Sequence, residues 1–222
     1  MKHPDLARSV APELKFGYLI DRREFDGTNQ AIETLHGTSF ITKVIPELLQ
    51  RKADGEPVTV LDCGSGIAVY PDQLRQAFGN KIKVSSTGNL DRQQVEDARK
   101  ANGLNPLHHD DLKLKSIDDL QADLKFDLIL DTRGEQFYKT NQDTHSLEKA
   151  RFENWKNHVR TLLSRRSDIG VISLSPVNAF YDVLQPFLNE IRAMGLVVNA
   201  DPDDDDKINF LRITTKELSP LV

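Results

Sequence analysis

An aspartate and two closely spaced glycines follow an apolar run near residue 60, and this stretch carries the clearest chemical signal in the chain. The run Val58-Thr59-Val60-Leu61 is typical of a buried strand in a parallel sheet, and Asp62 ends it. Gly64 and Gly66 follow, and glycine allows backbone angles and a close approach that a Cβ would prevent. A strand leading through such a turn into a helix is how α/β proteins hold nucleotide-like ligands.

The spacing after the first glycine separates two classes of ligand. A dinucleotide fingerprint needs a third glycine, as in G-x-G-x-x-G, but Val69 occupies that position when counted from Gly64. A nicotinamide-dependent oxidoreductase is therefore disfavoured. A tight strand–helix turn that binds no ligand stays open as an interpretation, because a fold does not by itself establish a function.

Two stretches resemble motifs of the class I S-adenosylmethionine-dependent methyltransferase family. Residues Val60 to Ala68 read V-L-D-C-G-S-G-I-A, and the family's first motif is an apolar strand ending in D/E-x-G-x-G-x-G. Asp62 and both glycines match this motif, whereas Ala68 replaces its last glycine. The sequence F-D-L-I-L-D, from Phe126 to Asp131, is similar to the fourth-strand motif. The resemblance covers about residues 58–215.

This resemblance implies that S-adenosylmethionine is the cofactor. Asp62 would lie near the amino group of the cofactor's methionine part, with the glycine backbone close to the methionine and ribose. The family's ribose-binding acidic residue falls at Asn89, whose amide lacks the charge-assisted strength of a carboxylate. Asp110 or Asp111 matches the family's adenine contact. The implied cofactor residues are Asp62, Gly64, Ser65, Gly66, Asn89, Leu90, Asp110, Asp111 and Asp131.

Several of these polar residues also have structural interpretations. Asn89 suits a turn as well as a ribose contact, and the neighbouring Asp91 is more simply a helix cap. The aspartates at 110 and 111 also suit a solvated loop. His108 and His109 precede them, but adjacent residues on a strand point to opposite faces, so no metal site is expected.

No catalytic signature is evident in the chain. Methyl transfer from a sulfonium needs mainly alignment of the nucleophile and exclusion of water, and a general base only where the acceptor must lose a proton. The connection after the fourth strand offers polar candidates, each of which also suits a solvated loop. These candidates are Asp131, Arg133, Glu135, Tyr138 and His145.

Strands and helices alternate from about residue 58 onward. Strands are predicted at 58–61, 81–88, 104–108, 126–130, 169–174, 196–199 and 208–214, and helices at 71–78, 91–101, 116–120, 147–163 and 180–194. This order predicts an α/β, Rossmann-like, seven-stranded, mainly parallel sheet with helices on both faces. The last two strands have no room for a crossover helix and should be antiparallel. The family's sheet likewise has seven strands, the last antiparallel and inserted beside the fifth.

The first 55 residues show helical patterns without an obvious strand. We expect residues 1–55 to form an N-terminal helical extension packed on the core, and residues 56–222 to form a methyltransferase-like domain. From Ser39 to Leu49, apolar residues recur at three- and four-residue spacing, which predicts one amphipathic helix despite Pro46 in its interior.

Composition limits the partners and the compartment. The 222 residues are 38% hydrophobic and 28% charged, and the net charge of −5 gives no support for binding nucleic acid or an anionic membrane. No apolar run approaches the roughly 20 residues that span a bilayer, and the N-terminal residues lack an apolar signal core. One cysteine fits a reducing compartment, so we expect a cytoplasmic protein.

The sequence therefore predicts an S-adenosylmethionine-dependent methyltransferase that acts on a small-molecule acceptor, with no nucleic-acid or membrane partner. The alternative is a non-catalytic, methyltransferase-like interaction module. Ala68, Asn89 and the missing catalytic signature leave room for that alternative. Neither the methylated atom nor the oligomeric state is indicated.

Overall fold

The computed structural model describes most of the chain from residue 32 to residue 216. The described residues are 32–33, 36–88, 90–107, 117, 121, 123–132, 146–175, 177, 179–202 and 207–216. Several sequence predictions fall outside them: the site residues Asn89, Asp110 and Asp111, most of the helix at 116–120, and the candidates Arg133, Glu135, Tyr138 and His145.

One mixed sheet forms the centre of the molecule. Its strands are β1 (Val58–Cys63), β2 (Ile82–Thr87), β3 (Phe126–Thr132), β4 (Arg166–Ser175), β5 (Ala179–Phe180), β6 (Val197–Pro202) and β7 (Lys207–Thr214). Their order is β2-β1-β3-β4-β7, and β5 and β6 also pair with β7. The pairings among β1 to β4 are parallel, whereas every pairing of β7 is antiparallel. The predicted antiparallel final pair, with the last strand beside the fifth predicted strand, is confirmed.

The expected count of seven full strands is wrong for the described residues, which form six strands of six or more residues and the two-residue β5. The missing strand is the one predicted at 104–108, because the described residues 104–107 are not in a strand. Instead, the backbone N–H of Leu104 donates to the carbonyl of Arg99, and that of Leu107 donates to the Glu96 carboxylate. The apolar side chains that suggested a strand pack on the preceding helix.

Within the described residues, five α-helices of seven or more residues flank the sheet: α1 (Ile45–Arg51), α2 (Val69–Phe78), α3 (Arg92–Ala101), α4 (Ser146–Arg165) and α5 (Tyr181–Ala193). The interpretation of Asp91 as a cap is confirmed, because its Oδ1 accepts a hydrogen bond from the Gln94 backbone at 2.8 Å. The Gln94 side chain accepts one from the Asp91 backbone in return, which completes a capping box. None of the described helices has the length and apolar content needed to span a membrane.

The segment before β1 is not one continuous α-helix. A π-helical turn at Phe40–Val44 precedes α1, and Pro46 lies in the first turn of α1. Proline has no N–H to donate and its ring clashes with the carbonyl four residues earlier, so a regular α-ladder cannot continue through it. The apolar stripe survives this break, and Phe40, Val44 and Leu48 are buried on the sheet. The division at residue 55 stays a prediction.

Side chains of the strands alternate between two separate cores. Leu61 and Ile129 pack on one face with Trp155 of α4 and with residues of α5. Val60 and its neighbours pack on the other face with α1 and with Leu74 of α2. Because successive residues point to opposite faces, the polar residues at the strand ends are also divided between the α1–α2 face and the α4–α5 face.

Candidate functional site

The glycine-containing stretch forms a tight turn at the carboxyl edge of the sheet. Gly64, Gly66 and Ala68 have φ values of 74°, 56° and 60°, all in the left-handed region. The backbone N–H groups of Gly64 and Ser65 donate to the carbonyl of Thr87, at 2.9 and 3.1 Å, and so tie the turn to the end of β2. Helix α2 begins directly afterwards. These left-handed conformations explain why the motif has Gly64 and Gly66. Ala68, which has a Cβ, adopts a left-handed conformation at a cost of about 1–2 kcal/mol.

Asp62 lies at the end of β1, on the α1–α2 face, with only 5% of its surface exposed. Ser86 of β2 is its register partner on the neighbouring strand. Burial, and secondly the charge of Asp131, raise the pKa of Asp62 from 3.8 to about 7. A cationic partner would favour the ionised carboxylate, so Asp62 is suited to bind a positively charged ligand group.

Two buried hydroxyl groups near Asp62 have no hydrogen-bond partner within the described parts of the chain. They are the Oγ of Ser86 and the Oη of Tyr70, which lies in the first turn of α2. Burial raises the pKa of Tyr70, and the charges of Glu33 and Asp62 raise it further. Unpaired buried hydroxyls are costly, so this edge fits a polar ligand group. An ammonium group, with three donors and a positive charge, meets both requirements.

Asp131 is the penultimate residue of β3, points to the opposite face and is 3% exposed. Its Oδ2 lies 2.8 Å from Nε2 of His158 on α4, and its Oδ1 has no partner among the described residues. His158 was not among the residues predicted from the sequence. The usable signal was its position, three residues after Trp155 and four before Leu162, which places it on the buried stripe of the helix.

A second buried polar cluster lies beside the ends of β3, β4 and β7. The fully buried His36 has Nδ1 2.8 Å from Ser173 Oγ and Nε2 2.8 Å from Thr132 Oγ1, and its carbonyl accepts a hydrogen bond from Arg212. Burial, and then the charge of Arg212, lower the pKa of His36 to about 3. Its imidazole is therefore neutral and holds the segment before α1 on the sheet. This cluster was not predicted from the sequence.

The structure brings together most of the predicted site residues that it describes. Asp62 and the turn residues are contiguous, and Asp131 is the register partner of Cys63 on the adjacent strand. Leu90 is half-buried and packs on the apolar cluster beneath the turn, which includes Ile67 and Val95. No group of three His, Cys, Asp or Glu side chains suited to a metal ion occurs within the described ranges.

The fold has counterparts in solved structures. The chain is similar to magnesium protoporphyrin IX methyltransferase from Synechocystis, solved with bound S-adenosylmethionine. The identity is 13% over 86% of this chain and 80% of that chain, with a TM-score of 0.50. The fold is that of class I S-adenosylmethionine-dependent methyltransferases. The resemblance inferred from the sequence is confirmed at the level of the fold.

Other solved structures are also similar to the chain. Human methyltransferase-like protein 13, in complex with S-adenosylhomocysteine, is 14% identical over 79% of this chain and 77% of that chain, with a TM-score of 0.48. The ribosomal protein L11 methylase from Lactobacillus delbrueckii is 20% identical over 81% of each chain, with a TM-score of 0.46. No protein-family model and no curated protein matches the sequence.

Proposed function

We propose that the chain is an S-adenosylmethionine-dependent methyltransferase acting on a small-molecule acceptor. The observation that carries this proposal is the buried Asp62 at the carboxyl end of β1, directly before a turn with three positive φ values. This carboxyl lies in a setting that favours a cation, on a sheet with the class I fold.

The residues near Asp62 fit the amino end of the cofactor. Bound S-adenosylmethionine would supply an electrophilic methyl group on a positively charged sulfur. Asp62 would accept hydrogen bonds from the amino group, and the unpaired hydroxyls of Tyr70 and Ser86 support a polar partner at this edge. The proposed cofactor residues are Asp62, Gly64, Ser65, Gly66, Asn89, Leu90, Asp110, Asp111 and Asp131.

The proposal of a small-molecule acceptor rests on the net charge of the chain and on the segment that packs over the sheet. A net charge of −5 disfavours a polyanionic partner such as nucleic acid. The segment that contains His36 and α1 packs on the same face as Asp62, where it would exclude water from the reacting groups. The single cysteine, Cys63, is buried, and we propose a reducing compartment, the cytoplasm.

Isothermal titration calorimetry with S-adenosylmethionine and S-adenosylhomocysteine tests the proposal directly. We expect saturable one-to-one binding of both ligands, no binding of NAD, and loss of binding in Asp62→Ala. Absence of binding at millimolar ligand would refute the proposed cofactor. Binding without methyl transfer to any member of a broad acceptor panel would favour the non-catalytic module instead.

A further inference from the structure

We propose that Arg99 is a positioning residue for the cofactor: its guanidinium holds the turn after β1 and the stretch after α3 in the arrangement that the cofactor requires. This inference rests on the proposed function. Arg99 lies on α3, away from the motif residues in sequence, and only 1% of its surface is exposed.

The guanidinium of Arg99 contacts three separate parts of the chain. Nη1 donates to the carbonyls of Ile67, at 2.7 Å, and Ala68, at 3.2 Å. Nε donates to the carbonyl of Asn105 at 2.7 Å, and Nη2 pairs with the carboxylate of Asp72 on α2. A single buried cation therefore connects the turn, the helix that follows it and the stretch after α3.

The two carbonyls that Nη1 contacts lie where the chain leaves the turn. Ala68 holds a left-handed conformation there, and no side chain caps the start of α2. A strained backbone persists only where its surroundings determine it. Arg99 supplies that constraint from outside the turn, because its hydrogen bonds fix the orientation of the peptide groups on both sides of Ala68.

The third contact extends the effect to the stretch after α3. Asn105 lies five residues before Asp110, in the stretch that leads to the proposed adenine contacts. Lysine could not replace Arg99, since its donors share one nitrogen, whereas the planar fork of arginine reaches acceptors in several directions. The position of the stretch after α3 relative to the turn therefore depends on this guanidinium.

The chain contains a matched control for a buried arginine that binds carbonyl groups. Arg165 is 7% exposed, and its guanidinium donates to the carbonyls of Gln121 and Ile117. It lies at the end of α4, directly before the start of β4, and so at the opposite edge of the sheet from the turn. Both replacements remove guanidinium contacts with backbone carbonyls, but only those of Arg99 involve the turn after β1.

The test compares Arg99→Lys with Arg165→Lys by calorimetry with S-adenosylhomocysteine and by amide hydrogen exchange of the ligand-free protein. We expect Arg99→Lys to weaken binding about tenfold or more and to speed exchange at Gly64, Ser65 and Ala68. Arg165→Lys should lower thermal stability while leaving affinity and turn exchange within about twofold of wild type. Equal losses of affinity in both variants, or an unchanged turn in Arg99→Lys, would overturn the proposal.

Asp72→Asn is the second variant, for the case that Arg99→Lys does not fold. It keeps the guanidinium and weakens one of its contacts, so we expect about a threefold loss of affinity and faster exchange at the same turn amides. Wild-type affinity in this variant, with unchanged exchange, would contradict the proposal. If the wild-type protein binds no S-adenosylhomocysteine, the proposed function is refuted. The difference in amide exchange at the turn between wild type and Arg99→Lys then tests, without a ligand, whether Arg99 holds the turn.

Discussion

Replacing Asp62 by asparagine should stabilise the ligand-free protein near neutral pH while removing cofactor binding. In the folded protein the pKa of Asp62 is raised from 3.8 to about 7. Between these values the folded state binds more protons at this carboxyl than the unfolded chain does. The contribution of Asp62 to stability therefore falls as the pH rises through this window. Asparagine has a similar size and does not ionise, so the variant escapes this loss.

The magnitude follows from the size of the shift. The pKa of Asp62 rises from 3.8 to about 7, and each pH unit of that difference corresponds to about 1.4 kcal/mol, so the variant should be more stable by about 4 kcal/mol at pH 8. At pH 5.5 the same reasoning gives an advantage of about 2 kcal/mol. The advantage should shrink further as the pH approaches 4.

Urea unfolding followed by circular dichroism measures both stabilities, and calorimetry with S-adenosylhomocysteine measures the loss of binding. Asp127→Asn is the matched control, because Asp127 is equally buried but its Oδ2 accepts from the Thr59 backbone at 2.9 Å and pairs with Lys52 at 3.0 Å. That control should be less stable than wild type at both pH values. An Asp62→Asn variant that is less stable than wild type at pH 8 would refute the reasoning.

Further predictions follow from the same geometry. Affinity for a cationic ligand should fall about tenfold per pH unit below 7, as the carboxyl at the end of β1 takes up a proton, and should level off above 7 in calorimetry. Gly37→Ala should cost more than about 2 kcal/mol in urea unfolding, because the new Cβ would lie 2.3 Å from Phe210 at a φ of +63°. Gly55→Ala, at a φ of +83° in open space, should cost only about 1 kcal/mol of stability. Equal losses of stability in the two variants would contradict the expected clash with Phe210. His158→Ala should lower the free energy of unfolding by about 3 kcal/mol at pH 7, because it removes the imidazole that contacts the buried Asp131 carboxylate. Unchanged stability in this variant would contradict that pairing.

Features encoded in short stretches of sequence could be predicted. The β1 strand and the turn after it are determined by a few adjacent residues, whose apolar run and glycines dictate both burial and backbone angles. The capping box of α3 is similarly local, since Asp91 and Gln94 are three residues apart. At the stretch from residue 104 to 107 the sequence prediction was wrong, because packing on α3 took the place of strand pairing.

The polar contacts across the sheet could not be predicted in the same way. His36 meets Thr132 and Ser173, which are 96 and 137 residues away in sequence, and nothing in the local pattern encodes that meeting. The pairing of Asp131 with His158 depends on how α4 lies on the sheet. Arg99 gives no sequence signal for its contacts with the turn, because arginine on a helix is usually exposed.

Two buried groups, His36 and Asp62, are both shifted toward their neutral forms and have opposite effects on pH dependence. The pKa of His36 is lowered from 6.5 to about 3, so at this side chain the unfolded chain binds the extra proton, and its contribution to stability rises with pH through that window. The contribution of Asp62 to stability falls with a similar slope as the pH rises from 3.8 to about 7. Between about pH 4 and 6.5 the two slopes cancel, so these two groups together leave the free energy of unfolding nearly independent of pH. Removing either group would expose the pH dependence that the remaining group contributes.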